Sequence, residues 1–262
     1  MRMQPDELEA TARIAAQAAD RARAEVLPRF RQVAVETKAD GTVVTEADMA
    51  AERAIREFLR EATPDFGILG EELGEEAGER GRPVWVVDPI DGTINYSRGI
   101  PLFATILALV DEGETVVGLI DLPCMDERYV GWKGGGCHRN GSPVRVSGER
   151  DLARALVAHA DPYLFRSVGQ EAVFAHMQAT CPLLRGYSDA FGHALVLGGG
   201  VDVMVDPSLA AWDLAATRLL VPEAGGKYLE FAHASGRLGC AFGSPALVEE
   251  LAEFLVLDGG AA

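Results

Sequence analysis

The spacing of apolar residues changes character along the chain. From residue 6 to about residue 27, Leu8, Ala15, Ala18, Ala22 and Val26 recur at helical spacing, which predicts a helix packed through small side chains. Pro28 is expected to end or kink it. Two short apolar pieces between 33 and 44 flank Lys38-Ala39-Asp40-Gly41 and predict a hairpin turning at Asp-Gly. Thr45 can cap a second helix, with Glu46 and Asp48 favourable in its first turn. Ala51, Ala54, Ile55, Phe58, Leu59 and Ala62 give that helix a buried face.

Continuous apolar runs then replace the helical period. Residues 66–69, 84–87, 103–110, 115–120 and 129–132 read as strands. Gly134-Gly135-Gly136 lacks the lysine and helix of a phosphate-binding loop and reads as a turn, as does Asn140-Gly141. The first half is therefore two helices and an antiparallel meander. Beyond it, apolar segments at 155–160, 181–184, 201–205, 227–231 and 238–242 alternate with helical patterns at 170–180, 189–197 and 212–221. A last helix opens at Ser244-Pro245. That alternation indicates an α/β half. A soft boundary at Ser147-Gly148-Glu149-Arg150 divides the chain into closely packed halves, 1–147 and 148–262, acting as one unit.

Composition narrows the function. The chain has 262 residues and a net charge of -16, which argues against nucleic-acid binding. The same charge repels phosphate unless bound cations reverse the local field. Cys124, Cys137, Cys181 and Cys240 are scattered, as expected of reduced, buried thiols. The first ten residues lack an apolar core for a secretory signal, and no apolar run is of membrane-spanning length. A cytoplasmic enzyme without membrane contact is expected.

The stretch Val84-Trp85-Val86-Val87-Asp88-Pro89-Ile90-Asp91-Gly92-Thr93 carries the candidate chemistry. Four apolar residues predict a buried strand that Pro89 ends. Two carboxylates at such a place repel each other and lose hydration, unless a hard cation such as Mg²⁺ sits between them. Read alone, the same residues also fit a strand ending in an Asp-Pro turn with Asp91 on the surface. Asp91-Gly92-Thr93 is expected at a turn or helix start, where backbone N–H groups favour an anion.

The string Asp88-Pro89-Ile90-Asp91-Gly92-Thr93, preceded by Gly70-Glu71-Glu72 and followed by Trp212-Asp213, resembles the signature of the inositol monophosphatase superfamily. These are lithium-sensitive, magnesium-dependent phosphomonoesterases. The resemblance runs from roughly residue 38 to 226. It implies an α+β or α/β chain folded as a layered αβαβα sandwich of the inositol monophosphatase and fructose-1,6-bisphosphatase type, commonly a homodimer. It also implies two or three Mg²⁺ ions. Asp88 would bridge two of them, Glu71 and the carbonyl of Ile90 would complete one, and Asp91 and Asp213 the other. Glu71 and Thr93 would orient the attacking water, and the amides of Gly92 and Thr93 would bind the phosphate. Asp48 would lie near the metals, although a helix start favours Asp in any case. Lys38 would belong to a loop near the site. Two cations can clamp the attacking and leaving oxygens, so direct hydrolysis needs no protein nucleophile.

The segment Arg185-Gly186-Tyr187-Ser188-Asp189-Ala190-Phe191-Gly192-His193 bears on the substrate. Inositol phosphatases usually have a small uncharged residue where Asp189 stands. Asp189 resembles the histidinol-phosphate phosphatase branch, where an acidic residue could meet the substrate amine; a helix cap is its alternative reading. Asp206, seven residues before Asp213, matches a position that contacts the leaving group, beside Asp213 itself. His193 is expected to be a satisfied core histidine. The implied reaction is hydrolysis of L-histidinol phosphate to L-histidinol, in histidine biosynthesis. Inositol 1-phosphate, or a related sugar or nucleotide phosphate, is the alternative substrate. Two rivals differ in class. Aspartyl-phosphate phosphatases place their carboxylates two residues apart, whereas here they are three apart. A metal-dependent sugar-phosphate binding protein would lack catalysis.

Overall fold

The computed structural model describes residues 3–37, 43–233 and 235–257. Helix α1 (Pro5–Arg29) buries Leu8, Ala15, Ala18, Ala22 and Val26 along one face. Pro28 lies inside its last turn and the helix continues to Arg29. So late in a helix the missing N–H costs one hydrogen bond, and the chain leaves two residues on. Strands β1 (Val35–Thr37) and β2 (Val43–Thr45) pair antiparallel. The turn between them, with Lys38, lies outside the described residues. Helix α2 (Glu46–Ala62) starts at a capping box: Ala47 N donates to Thr45 Oγ1 at 3.1 Å, and Thr45 N donates to Asp48 Oδ2 at 2.8 Å.

The larger sheet contains β3 (Gly67–Gly70), β4 (Gly74–Glu76), β5 (Val84–Asp91), β6 (Ala104–Asp111), β7 (Glu114–Leu122), β8 (Glu127–Trp132), β9 (Gly136–Arg139) and β10 (Ser142–Pro143). Their order is β10-β9-β8-β7-β6-β5-β3-β4. It is an antiparallel meander except where β3 runs parallel to β5. Short helix α3 (Thr93–Ser97) follows β5. Contrary to expectation, Pro89 does not end β5. The ladder to β6 passes from Asp88↔Ile106 to Asp91↔Ala104 through a register shift, and Thr105 Oγ1 donates to the Pro89 carbonyl at 2.8 Å. The irregularity absorbs the missing donor. Strand β4 is also additional to expectation: Glu76 is held by Arg60 and Arg56 of α2, so part of the glutamate run becomes an edge strand.

The smaller sheet has β11 (Leu156–His159), β12 (Leu183–Gly186), β13 (Val203–Leu209), β14 (Lys227–Ala232) and β15 (Leu238–Gly243), in the order β12-β11-β13-β15-β14. Strand β11 is parallel to β12 and β13; β15 is antiparallel to β13 and β14. The helices of this part are α4 (Pro162–Ser167), α5 (Glu171–Thr180), α6 (Asp189–Leu197), α7 (Ala211–Ala215), α8 (Thr217–Glu223) and α9 (Pro245–Leu257). The single helix expected at 212–221 is thus broken at Ala216, and β13 runs past residue 205 to Leu209.

The layers follow from which faces are apolar. Helices α1 and α2 cover one face of the large sheet, burying Ile55 and Leu59 with Trp85, Leu107 and Leu119. Helices α6, α7 and α8 fill the space between sheets, where Ile106 and Ile120 meet Ala194, Leu220 and Phe242. Helices α4, α5 and α9 cover the far face, with Phe165, Met177 and Leu247 on Val157 and Val205. The result is an αβαβα sandwich. No helix among the described residues is long and apolar enough to cross a membrane.

Candidate active site

The carboxylates of Asp88, Asp91 and Asp213 come together from strand β5 and helix α7. Asp88 and Asp91 lie at the end of β5, in the irregular part of the ladder. Asp213 is the third residue of α7 and accepts from Ala210 N at 2.7 Å, a helix-start position that tolerates its charge. Each offers one oxygen, and these oxygens lie within 4.8 Å of one another. Glu71 stands beside them: it follows β3, and its N–H donates to the Val87 carbonyl at 3.1 Å, one residue before Asp88.

A second group shapes the wall. Thr93 Oγ1 lies 2.9 Å from the Ile90 carbonyl and 3.3 Å from Asp48 Oδ1. Asp48 is buried and held in turn by both the N–H and the hydroxyl of Thr45. Gly92 opens α3 at φ +86°, in the left-handed region. A Cβ there would lie 3.1 Å from the Leu102 carbonyl and 3.2 Å from Asp189 Oδ2, so glycine answers both the conformation and the crowding.

Asp189 comes to this wall from the smaller sheet's side. It is the first residue of α6, also left-handed at φ +59°, and the cap position belongs to Ser188. Its carboxylate accepts from Asn95 Nδ2 at 3.0 Å, so the helix-cap reading does not describe it. The next N–H, of Ala190, donates to Asp91. Asp206 is buried in β13; its Oδ2 has no hydrogen-bond partner among the described residues and its Oδ1 is 3.4 Å from Ser208 N. His193 is a buried core histidine with one nitrogen satisfied: Nδ1 is 2.8 Å from Thr217 Oγ1, while Nε2 has no partner among the described residues. Burial pushes it down to about 3, so the ring is neutral.

These acids disturb one another. Burial, then repulsion from Glu71, Asp91 and Asp213, holds Asp88 well above the usual carboxylate range; Asp91 is raised likewise by burial, Asp189 and Asp213. Burial is also the chief cause for Asp48, pushed up to about 6, and for Asp206 and Asp213, pushed up to about 7. Arg237 is the cation that partly offsets the last two. Asp88 Oδ1 is buried without a partner among the described residues. An all-oxygen, strongly anionic donor set with an orphaned carboxylate oxygen fits a hard divalent cation. A cavity of about 480 Å³ lies elsewhere, between α1 and strands β8 and β9, and contains none of these residues.

The family follows from comparison with known proteins. The inositol monophosphatase family matches residues 4–253. The chain belongs to the inositol monophosphatase family. It is 37% identical over 196 residues to a histidinol-phosphatase of Chlorobaculum parvum, covering 75% of each chain. It is equally 37% identical, over 218 residues and 81% of each chain, to an inositol-1-monophosphatase of Mesorhizobium japonicum. In structure it is similar to the extragenic suppressor protein suhB of Bartonella henselae, with a TM-score of 0.86 at 30% identity, over 94% of this chain and 98% of that one. The αβαβα sandwich is that of this family, which comprises Mg²⁺-dependent phosphatases acting on small phosphate esters.

Sequence reasoning did not single out Asn95. Its Nδ2 lies 2.9 Å from the Leu102 carbonyl, 3.3 Å from Ser188 Oγ and 3.0 Å from Asp189 Oδ2. It sits within the 84–101 stretch, but two of its three partners are 93 and 94 residues away in the smaller sheet's part, and no local pattern announces them. Asp161 is another such residue. It caps α4 and its charge is felt by Asp189; Asp161-Pro162 after an apolar run repeats the Asp88-Pro89 pattern and was the available signal.

Proposed function

We propose that the protein is a Mg²⁺-dependent phosphomonoesterase whose substrate is L-histidinol phosphate. Asp88, Asp91, Asp213, Glu71 and the carbonyl of Ile90 would hold two Mg²⁺, with a third beside Glu71. When bound, these ions supply positive charge to the attacking and leaving oxygens and make water more acidic. The protein's own groups do the positioning. Thr93 Oγ1, fixed between the Ile90 carbonyl and Asp48, orients the attacking water together with Glu71. The amides of Gly92 and Thr93 orient the phosphate. Asp213, Asp206 and Asp189 face the leaving group, and no side chain need be phosphorylated.

The observation that carries the substrate assignment is Asp189. Its carboxylate stands beside Gly92 and Asp91 with a neutral donor, Asn95, as partner, and with the charges of Asp161 and Asp206 nearby. Such a wall favours a leaving group bearing an amine over a neutral polyol. Inositol 1-phosphate is the second reading, favoured by the equally identical inositol-1-monophosphatase. The same reading carries the two halves 1–147 and 148–262, a homodimer, and a cytoplasmic place in histidine biosynthesis.

The test is kcat/KM on both phosphates, with and without chelator. Histidinol phosphate is expected to be preferred, and Asp189→Ala to reduce that preference by about 10- to 100-fold, the value of a charge-assisted hydrogen bond. A preference for inositol 1-phosphate unchanged by Asp189→Ala would overturn the amine reading. Full activity after exhaustive chelation would overturn the metal reading.

A further inference from the structure

Helix α2 carries a second buried carboxylate, Glu52, one turn beyond Asp48 on the same face. Its two oxygens are fully engaged. Oε2 accepts from Glu72 N at 2.8 Å, and Oε1 accepts from Leu73 N at 3.1 Å and from Arg56 Nε at 2.8 Å. Arg56, also buried, donates further to the Gly74 carbonyl and to Glu76 Oε2 at 3.3 Å. The two amides that Glu52 captures are those directly following Glu71.

Glu71 is therefore fixed at its backbone from both sides. Its own N–H is tied to Val87 of β5, and the next two N–H groups are tied to Glu52. The approach is so close that a Cβ on Gly70 would overlap the Glu52 carboxylate. This accounts for glycine in Gly70-Glu71-Glu72: the residue before Glu71 must leave room for the acid beneath the turn. A buried charge on a turn that could otherwise be solvated is costly unless it is paired and hydrogen-bonded. Here every bond it makes is to Arg56 or to this turn.

We propose that Glu52, supported by Arg56, is a positioning residue that sets the place of Glu71 for metal binding. It acts through the backbone of the turn between β3 and β4 and touches neither metal nor substrate. Helix α2 thus orders two parts of the site, Thr93 through Asp48 and Glu71 through Glu52. The inference rests on the reading of Glu71 as a metal ligand.

The test is direct Mn²⁺ binding, measured by electron paramagnetic resonance of the free ion on full-length protein, beside phosphate release. Wild-type protein and Asp88→Asn come first. If wild type binds no Mn²⁺, or Asp88→Asn binds it undiminished, the metal reading itself falls and this inference with it. With that arm passed, Glu52→Gln is expected to weaken Mn²⁺ binding about 10- to 100-fold, as loss of outer-shell partners does. Its kcat at saturating Mn²⁺ should fall by a smaller factor. Arg60→Ala, which releases the exposed side of the same hairpin by removing the Arg60–Glu76 pair, should lower its thermal stability but leave Mn²⁺ affinity unchanged. If Glu52→Gln does not fold, Arg56→Lys keeps the charge but loses the forked donors, and a loss of roughly threefold or more in affinity is expected. Wild-type affinity in whichever of these two variants folds, or an equal loss in Arg60→Ala, would overturn the proposal.

Discussion

Replacing Asp206 by Asn should stabilise the metal-free protein by an amount that grows as the pH rises from about 4 to about 7. Burial, with Asp189 and Asp213 nearby and Arg237 as a partial offset, raises Asp206 from 3.8 to about 7. In the unfolded chain the carboxyl loses its proton near its ordinary value; in the native state it keeps it until about pH 7. Between those values the native state binds more protons, so stability falls as pH rises, and the full penalty is present above the native value. At about 1.4 kcal/mol per pH unit, the span of roughly three units is worth about 4 kcal/mol as an upper figure, and relaxation around the charge brings this to about 2–4 kcal/mol. For a chain of this size that is a difference of roughly 5–12 °C in Tm.

The assay is scanning calorimetry of wild type and Asp206→Asn in excess chelator, at about pH 5 and about pH 8. The amide can also lose or gain hydrogen bonds in place of the unpartnered Oδ2, but that contribution does not depend on pH. The gain of the variant over wild type should be clearly smaller at about pH 5, where only part of the penalty is present, than at about pH 8. An equal Tm difference at both pH values would refute the reasoning, because it would mean that Asp206 titrates alike in both states.

Three further outcomes are expected. Asp88→Asn should reduce phosphate release at ordinary Mg²⁺ by at least about 100-fold while raising the Tm of the metal-free protein, since it removes a buried carboxyl that costs more to ionise among Glu71, Asp91 and Asp213; retained activity would contradict the site. Gly92→Ala, at φ +86° and with its Cβ 3.1 Å from the Leu102 carbonyl, should cost about 1–2 kcal/mol in a urea titration. Asp121→Ala should cost about 2–3 kcal/mol without changing metal affinity, because buried Asp121 accepts from Arg23 Nε and Arg128 Nε, both at 2.6 Å, and those arginines keep other partners and some solvent.

What the chain disclosed in advance was whatever is contiguous. Asp88, Asp91, Gly92 and Thr93 lie in one run after one apolar strand, and Glu71 and Asp213 each adjoin an apolar segment of their own. What it withheld depends on partners far off in sequence. Strand β5 continues past Pro89 because β6 takes up the register shift, and that cannot be read from β5 alone. Strand β4 exists because Arg56 and Arg60, 20 and 16 residues before Glu76, hold a segment whose own pattern suggested a solvated face. The break at Ala216 lies within a run of helical spacing that is unbroken in sequence. Asn95 and Glu52 matter through backbone and side-chain contacts that carry no motif.

The hydrogen bond from Ala190 N to Asp91 joins the first turn of α6 to the acidic cluster at the end of β5. Swapping residues 185–193 for the matching piece of a relative is the obvious route to a retuned enzyme. Such a graft moves a donor that touches a carboxylate of the large sheet, outside the grafted segment. The segment is therefore not an independent module: a transplant that alters the backbone at 190 would disturb Asp91 as well as the chosen substrate, and evolution along this path would be confined to exchanges that leave that amide where it is.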